Sequence, residues 1–279
     1  MSSSSASLPQ QKEFPRTLVL FDVDGTLTRS RMAITLEMEQ FLLKLKEKVD
    51  VGLVGGSDLA KIAEQMTSID CGESFQSQDS DSQIAQLIKK YDYIFAENGL
   101  LAYHDGRLIG KQSILNELGE ERVQRFINFA LGYLSRLTIP KKRGNFIEFR
   151  NGLINVSPIG RSCSRDERND FFTYDQKHGI REKMVNAFQQ EFNGTDIEMD
   201  FVIGGQISID CFPRGWDKKF CLRFIPDDRY DKIYFFGDRC LPNGNDYALF
   251  SHERTIGYAV KCPDDTREQV EKLFFNQNQ

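Results

Sequence analysis

The chain is 279 residues long, with 40% hydrophobic and 28% charged residues, which excludes collagen, coiled coil and wholesale disorder and allows a sizeable buried core. Its 36 Lys and Arg residues against 41 Asp and Glu residues give a net charge of −5, which argues against a general nucleic-acid-binding protein. No apolar run approaches the ~18 residues of a membrane span, so we expect neither nucleic acid nor a membrane as a partner.

The first residues and the cysteines indicate a cytoplasmic protein. Residues 1–13 are polar and lack the apolar stretch of a signal peptide, so we expect a disordered tail there. The six cysteines are scattered, without a Cys-x-x-Cys pair. This spacing favours reduced thiols over a disulfide framework or a zinc site.

The first third of the chain alternates predicted strands with predicted helices. Residues 17–21 predict a buried strand, and an amphipathic helix follows over residues 38–49. Residues 51–54 and 91–95 predict two more strands, and Ser57 is a candidate N-cap for a helix between them. Strands that alternate with helices need crossover connections and therefore form a parallel sheet.

The pattern changes near residue 108. Two Asx-Gly dipeptides, Asp105-Gly106 and Asn151-Gly152, predict hairpin turns among amphipathic helices. Such a mixture predicts an inserted α+β module, after which strands and a helix return to the first pattern. We therefore predict an α/β protein with a Rossmann-like parallel-sheet core domain (residues 14–108 and 215–279) and an inserted α+β cap domain (residues 109–214).

The strongest motif is FDVDGTL, residues 21–27, directly after the first predicted strand. Ligands of parallel sheets bind at the carboxyl ends of the strands. One of the two carboxylates can attack a phosphoryl group while the other donates a proton to the leaving oxygen, and the pair also attracts magnesium. A lone Asp-x-Asp would favour an ordinary Asx turn, but the full motif behind a strand favours a catalytic site at Asp22 and Asp24.

This motif resembles that of the haloacid dehalogenase-like phosphotransferases, and the other motifs of that family follow in order. Ser57, after two glycines, matches the hydroxyl that binds the transferring phosphoryl group, although it is also a plausible N-cap. Lys218 in GWDK matches the lysine that neutralises the aspartate and the phosphate, and Asp238 in FGD, with an Asn-Asp pair at 245–246, matches the metal carboxylate. The resemblance implies that Mg²⁺ is held by Asp22, the carbonyl of Asp24 and Asp238.

Two predicted strands of the insert have one polar face each. A two-residue turn at Asn151-Gly152 pairs Glu148 with Asn155 across the hairpin. The polar face then carries Glu148, Arg150 and Asn155, and the core face carries Ile147, Phe149, Ile154 and Val156. In residues 206–210 the polar face carries Gln206, Ser208 and Asp210, which suits sugar hydroxyls. An ordinary solvated sheet face is the alternative for either strand alone.

Arg161 and Arg168 flank a predicted helix start, where Ser164 and Glu167 have the spacing of a capping box. Arg168 lies in the first turns, where the helix dipole disfavours a cation. A nearby anion such as a second phosphate would relieve this, and a solvent-facing arginine is the alternative.

Several segments of the insert resemble eukaryotic phosphomannomutases, above all KKRGNFIEFRNGLINVSPIGRSCS (residues 141–164), GGQISID (204–210) and GWDK (215–218). The resemblance runs from about residue 20 to residue 275. It implies interconversion of mannose 6-phosphate and mannose 1-phosphate for GDP-mannose synthesis and glycosylation, with hexose 1,6-bisphosphate as intermediate and activator, in a homodimer formed through the cap. By matching position it assigns sugar-phosphate binding to Arg31, Arg150, Arg161, Arg168, Ser208 and Asp210.

Two segments depart from the family pattern. The Ser-, Asp- and Gln-rich residues 67–82 predict an exposed loop that is longer than in the family, and we assign it no role. The family's second, structural magnesium would lie in residues 250–255, where His252 stands in place of the expected aspartate. Since a neutral imidazole is a poor magnesium ligand, we expect that this second site is not filled.

The sequence therefore predicts a phosphohexomutase in which Asp22 is phosphorylated, Asp24 transfers the proton, and Ser57 and Lys218 stabilise the phosphoryl oxygens. A sugar-phosphate phosphatase, in which water takes the phosphoryl group from Asp22, is the alternative enzyme. A non-catalytic sugar-phosphate sensor is the alternative from another class, and the intact Asp22/Asp24 pair argues against it.

Overall fold

The structure is a computed structural model, and it describes residues 12–30, 32–68, 79–242 and 244–276. These residues form two compact units: the second unit is Gln112–Trp216, and the first unit comprises the described residues on either side of it. The predicted insert, residues 109–214, lies within three residues of these limits. Most of the predicted tail lies outside the described residues, but Lys12 donates a hydrogen bond of 3.0 Å to the carbonyl of Val49, so ordered chain begins before residue 14.

Both units contain strands as well as helices. The strands are β1 (Thr17–Phe21), β2 (Asp50–Val54), β3 (Tyr93–Ala96), β4 (Leu101–His104), β5 (Arg107–Lys111), β6 (Ile147–Phe149), β7 (Ile154–Val156), β8 (Met199–Gly204), β9 (Ser208–Pro213), β10 (Lys232–Gly237) and β11 (Ile256–Ala259). The α-helices are α1 (Leu36–Lys46), α2 (Leu59–Gln65), α3 (Ser80–Lys90), α4 (Ile114–Leu118), α5 (Glu120–Arg136), α6 (Arg165–His178), α7 (Ile180–Phe192), α8 (Tyr247–Phe250) and α9 (Pro263–Phe274). Short 3-10 helices cover Glu97–Gly99 and Lys218–Phe224.

The first unit is built on a seven-stranded sheet with the order β11-β10-β1-β2-β3-β4-β5. The pairs from β11 to β3 are parallel, and β4 and β5 add an antiparallel hairpin. Every residue of β1 is buried, as expected for a central parallel strand covered on both faces. The predicted parallel sheet is therefore confirmed, and it brings the loops after β1, β2 and β10 to one edge.

Two local predictions in the first unit need correction. Helix α2 is capped by Asp58, whose Oδ1 accepts a hydrogen bond of 2.9 Å from the backbone N–H of Lys61, and not by Ser57. Helix α3 begins at Ser80, inside the predicted loop of residues 67–82; residues 69–78 of that loop lie outside the described residues. Of the apolar residues in α3, Leu87 is buried, and Ile84 and Ile88 are partly buried against the core of the first unit.

The second unit is built on a four-stranded antiparallel sheet with the order β6-β7-β9-β8. Aromatic side chains of α5 and α7 pack on β8: the ring centroid of Phe201 lies 5.9 Å from that of Phe126 and 5.4 Å from that of Phe188. The hairpin register predicted from Asn151-Gly152 is confirmed, with Glu148 opposite Asn155. Phe149, predicted to face the core, is instead 48% exposed, because β6 is the outermost strand of this sheet.

None of the described helices combines the length and the apolar character that crossing a membrane requires.

Candidate active site

The loop after β1 carries Asp22 and Asp24 at the carboxyl edge of the parallel sheet. The backbone N–H of Asp22 donates a 2.9 Å hydrogen bond to the carbonyl of Phe236 on the neighbouring β10, which fixes the start of the loop. Gly25 has a φ of +100°, and a Cβ atom there would lie 2.5 Å from the Oδ2 of Asp238. Glycine is therefore needed for both the backbone conformation and the close approach of the two loops.

Asp22 lies in a buried group of charges. The ammonium of Lys218, which is fully buried, contacts the carboxylates of both Asp22 and Asp246. Asp246 is also fully buried, and its Oδ2 accepts a 2.9 Å hydrogen bond from the backbone N–H of Arg239. This arrangement gives the lysine two buried counter-charges and holds Asp22 at the end of its strand.

The electrostatics of this group favour further positive charge. Burial raises the pKa of Asp22 to about 6, although the Lys218 ammonium lowers it. Burial and the nearby Asp246 carboxylate also raise the pKa of Asp238. Burial alone would lower the pKa of Lys218, but the negative charges of Asp22 and Asp246 more than offset this and raise it. Two carboxylates thus contact the buried ammonium and a third lies close to them, and this excess of negative charge favours binding of a further cation.

The same carboxylates fit a divalent metal ion. Oxygen atoms of Asp22, Asp238 and Asp246 lie within 4.8 Å of one another. The Oδ1 of Asp238 is buried and has no hydrogen-bond partner among the described residues. Since buried polar atoms normally have a partner, this oxygen is suited to bind a ligand. A set of hard oxygen donors of this kind suits Mg²⁺.

Asp24 lies beside a cleft and has a positioned partner. The buried Gln65 of α2 donates a 3.2 Å hydrogen bond from Nε2 to the Oδ1 of Asp24. Both side chains line a cleft of about 320 Å³ together with Asp22, Ser57 and Asp238. Because Asp58 caps α2, the hydroxyl of Ser57 is available to a ligand: it makes no hydrogen bond within the described part of the chain.

Asp246 and Gln65 are the residues of this site to which sequence reasoning assigned no role. The Asn-Asp pair after Asp238 was visible in the sequence, but nothing local indicated that Asp246 would hold Lys218. Gln65 had no signal of its own, because its partner Asp24 is 41 residues away. Both roles follow from tertiary contacts between segments that are distant in the sequence.

The sugar-phosphate ligands implied by the resemblance lie in the second unit, apart from Arg31, which lies outside the described residues. Glu148, Asn155 and Asp210 form a row across β6, β7 and β9. The Nδ2 of Asn155 donates a 2.6 Å hydrogen bond to Asp210, and its Oδ1 accepts a 3.0 Å hydrogen bond from Arg161. The implied ligands Arg161 and Asp210 are thus connected through one buried amide.

Two further implied ligands lie close to this row. Ser208, two residues before Asp210 on β9, is 3% exposed. Arg168 lies on α6, whose predicted capping box between Ser164 and Glu167 is present. No ion pair is found for the Arg168 guanidinium within the described residues, so it is a cation without a local counter-charge.

Residues 250–255, where the family's second magnesium would lie and where we expect no filled site, contain several local hydrogen bonds. The Nδ1 of His252 accepts a 3.2 Å hydrogen bond from the backbone N–H of Arg254. The hydroxyl of Thr255 donates to the carbonyls of Leu249 and His252. These bonds close a compact turn after α8.

Comparison with solved structures identifies the fold. A haloacid dehalogenase-like hydrolase from Bacteroides thetaiotaomicron aligns with a TM-score of 0.56 and 12% identity, over 92% of this chain and 99% of that one. A truncated IMP-nucleotidase from Plasmodium falciparum aligns with a TM-score of 0.55 and 16% identity, over 92% of this chain and 67% of that one. The predicted Rossmann-like core is therefore confirmed.

Comparison of sequences is more specific. The family described as eukaryotic phosphomannomutase matches residues 38–276. The phosphomannomutase of Dendrobium officinale is 51% identical over 261 residues, which cover 94% of this chain and 95% of that one. Phosphomannomutase 1 of Homo sapiens is 48% identical over 271 residues, which cover 97% of this chain and 96% of that one. Since these matches extend over both units and almost the whole described chain, the chain belongs to the eukaryotic phosphomannomutase family.

Proposed function

We propose that this protein is a phosphomannomutase that interconverts mannose 6-phosphate and mannose 1-phosphate. The observation that carries the proposal is the buried Asp22, paired with Lys218 and close to the second carboxylate of Asp24. A nucleophile and an acid–base group in one cleft supply what phosphoryl transfer through an aspartyl phosphate needs. The relatives that share about half of the sequence are named phosphomannomutases.

In the first half-reaction, a carboxylate oxygen of Asp22 attacks the phosphorus of a hexose 1,6-bisphosphate. The bond between phosphorus and the sugar oxygen breaks, its electron pair stays on that oxygen, and Asp24 donates the proton that neutralises it. Asp22 is then an aspartyl phosphate, and the sugar is a monophosphate. This monophosphate leaves as product, and the opposite isomer, whose free hydroxyl is at the other of carbons 1 and 6, takes its place. In the second half-reaction, Asp24 takes the proton of that free hydroxyl, whose oxygen attacks the phosphorus; the bond between phosphorus and the Asp22 carboxylate oxygen breaks, and a bisphosphate and free Asp22 are restored.

The neighbours of Asp22 act on charge and orientation. The Lys218 ammonium offsets the negative charge of the attacking carboxylate and of the phosphoryl oxygens, and Asp246 holds it in place. The Ser57 hydroxyl donates a hydrogen bond to a phosphoryl oxygen, and Gln65 orients the carboxylate of Asp24. Asp22, the carbonyl of Asp24 and Asp238 would hold Mg²⁺, which supplies positive charge against the repulsion between the carboxylates and the phosphate.

In the second unit, Arg150, Arg161 and Arg168 bind the phosphate that is not transferred, with Arg31 as a further ligand. Ser208 and Asp210 bind sugar hydroxyls. These assignments are supported by the matching motifs and by the unpaired charge of Arg168 among the described residues. We further propose a cytoplasmic homodimer formed through the second unit, which supplies mannose 1-phosphate for GDP-mannose synthesis and glycosylation.

The alternative is a sugar-phosphate phosphatase with the same nucleophile, and the names of the close relatives do not favour it. One assay separates the two: purified protein is given mannose 1-phosphate, Mg²⁺ and a trace of hexose 1,6-bisphosphate, and mannose 6-phosphate and free phosphate are followed together. We expect mannose 6-phosphate as the main product, and its loss in Asp22→Asn, because an amide cannot attack phosphorus. Free phosphate as the main product would overturn the mutase assignment.

A further inference from the structure

The Glu148 carboxylate pairs with two of the arginines that are proposed to bind phosphate, Arg150 directly after β6 and Arg161 between β7 and α6. Its Oε1 accepts a 2.9 Å hydrogen bond from the Nε of Arg150, and its Oε2 pairs with the Nε of Arg161. The hydrogen bond from Arg150 holds the pKa of Glu148 below its usual range, so this carboxylate is charged at neutral pH. A phosphate group that approaches these two guanidiniums therefore meets an anion that is already bound.

A carboxylate and a phosphate compete for the same arginine donors. Both are oxygen acceptors that pair with guanidinium N–H groups, in one- or two-point contacts. While the Nε of Arg150 donates to Glu148, that N–H is not available to a substrate. A dianionic phosphate that bound beside Glu148 would also be repelled by the remaining carboxylate charge.

We propose that Glu148 is an internal competitor for the substrate phosphate: it holds Arg150 and Arg161 while the site is empty and must yield them when the sugar phosphate binds. This inference rests on the proposed role of the two arginines as phosphate ligands. Such competition lowers the affinity of the protein for the sugar phosphate, because each binding event replaces the Glu148 carboxylate with the phosphate as the partner of the arginines. An arginine that phosphate releases is at once paired again.

Glu148 is not needed to hold Arg161 in place. The Nη1 of Arg161 donates a 3.0 Å hydrogen bond to the Oδ1 of Asn155, and Asn155 is 3% exposed and fixed in turn by its bond to Asp210. Arg150 is anchored at its backbone, where its N–H donates a 2.9 Å hydrogen bond to the carbonyl of Leu153. Removal of the Glu148 charge should therefore free both guanidiniums without displacing them.

A matched control is present in the same unit. The carboxylate of Asp196 also bridges two arginines, at 3.0 Å from the Nε of Arg122 and 2.9 Å from the Nη1 of Arg125, and neither arginine is a proposed ligand. Asp196→Asn therefore removes the same charge and the same kind of bridge. A general effect of net charge or of surface ion pairs would appear equally in Glu148→Gln and Asp196→Asn.

The test measures the Kd of mannose 1-phosphate by calorimetry, with Asp22→Asn as the background so that no turnover occurs. We expect Glu148→Gln to bind about three- to tenfold more tightly, the effect of removing one charge from a partly exposed site near a phosphate. Asp196→Asn should leave the Kd unchanged. Adding Arg161→Gln to Glu148→Gln should remove most of the gain, because the freed guanidinium is its source.

Two results would overturn the proposal: the first leaves the proposed function intact, and the second also removes part of it. Unchanged or weaker binding by Glu148→Gln, while Arg161→Gln alone weakens binding, would show that Glu148 positions the arginines; the proposed function would then stand. An unchanged Kd in Arg161→Gln alone would show that this arginine is not a phosphate ligand. That result would remove both the inference and this part of the proposed function.

Discussion

Lys218 shows how a charged side chain is kept in the core. It is fully buried, and burial of an isolated ammonium is strongly unfavourable. Its contacts with Asp22 and Asp246 compensate for the lost hydration and raise its pKa, so that the group remains charged. The catalytic carboxylate and the lysine are thus structural partners as well as functional ones.

The first prediction concerns this pair and protein stability. Lys218→Met leaves two buried carboxylates without their counter-ion, and we expect the free energy of unfolding without metal to fall by about 3–5 kcal/mol. Denaturant titration in the presence of a chelator measures it. Lys219→Met is the control, because Lys219 is adjacent but 46% exposed and, among the residues that the structure describes, forms an ion pair only with Asp217. Equal stability of the two variants would contradict the buried-pair argument.

The second prediction concerns pH and magnesium. The pKa of Asp22 is raised to about 6, and that of Asp238 is also raised. Below pH 6 a proton therefore occupies Asp22 and competes with a cation, whereas above pH 6 the ionised carboxylate is free to bind one. Since a ligand that binds only the folded state stabilises it, Mg²⁺ should raise the Tm clearly one unit above pH 6 and much less one unit below.

Thermal melts with Mg²⁺ and with a chelator at the two pH values provide the measurement. In Asp238→Asn the Mg²⁺-dependent rise should be small at both pH values, because the orphaned buried oxygen no longer carries a negative charge. A rise in Tm that is equal at the two pH values would contradict the assignment of these carboxylates to the metal.

At the scale of the elements, α6 positions Arg168. The capping box at Ser164 fixes the start of the helix, and Arg168 follows one turn later with no ion pair in the described part of the chain. The third prediction is that Arg168→Gln weakens sugar-phosphate binding about ten- to hundredfold, the loss expected for one charge-assisted contact. The Tm should change little, since no described partner is lost.

Arg165→Gln provides the control for this prediction. Arg165 is exposed in the first turn of the same helix, so its removal changes the net charge and the helix dipole interaction in the same direction. It should leave the KM of mannose 1-phosphate unchanged. A sharp fall in Tm with normal kinetics in Arg168→Gln would instead give Arg168 a structural role.

The elements also show which features local sequence can predict. The register of the β6–β7 hairpin followed from Asn151-Gly152, because turn geometry and alternation fix which residues face each other. Helix α3 was missed because its first residues belong to the Ser-, Asp- and Gln-rich segment 67–82, whose composition is typical of a loop, although Ile84, Leu87 and Ile88 have helical spacing. Strand β8 was missed as well, although Met199, Phe201, Val202 and Ile203 are apolar; Met199 and Phe201 are buried, whereas Val202 and Ile203 are 45% exposed, so the apolar residues do not alternate regularly.

In the candidate site, too, local sequence predicted some residues, whereas others were recognised only from their contacts in the structure. Asp22, Ser57, Lys218 and Asp238 were predicted because each lies in a motif of the family, and Asp22, Ser57 and Asp238 also follow closely on the ends of β1, β2 and β10. The roles of Asp246 and Gln65 depend on partners 28 and 41 residues away. Nor did local sequence indicate that Glu148 pairs with Arg150 and Arg161, since alternation places polar residues on one face without saying which of them form ion pairs.

At the scale of the whole molecule, the proposed reaction requires a phosphorylated starting state. Unphosphorylated enzyme with only mannose 1-phosphate can move the phosphoryl group to Asp22, but the sugar then carries no phosphate and isomerisation stops. A trace of hexose 1,6-bisphosphate supplies the missing group. The arginines of the second unit fit this scheme, because a sugar with two phosphates needs ligands for the one that is not being transferred.

The last prediction is that catalytic amounts of hexose 1,6-bisphosphate strongly stimulate the formation of mannose 6-phosphate, whereas free phosphate remains a minor product. The measurement follows both products over time, with bisphosphate added at concentrations far below that of mannose 1-phosphate. Arg161→Gln should need more bisphosphate for the same stimulation, because a ligand of the untransferred phosphate is lost, while Asp196→Asn should behave as the wild type. Steady release of free phosphate without isomerisation, even with bisphosphate present, would contradict the two-step scheme. It would show that water, and not the sugar hydroxyl, takes the phosphoryl group from Asp22.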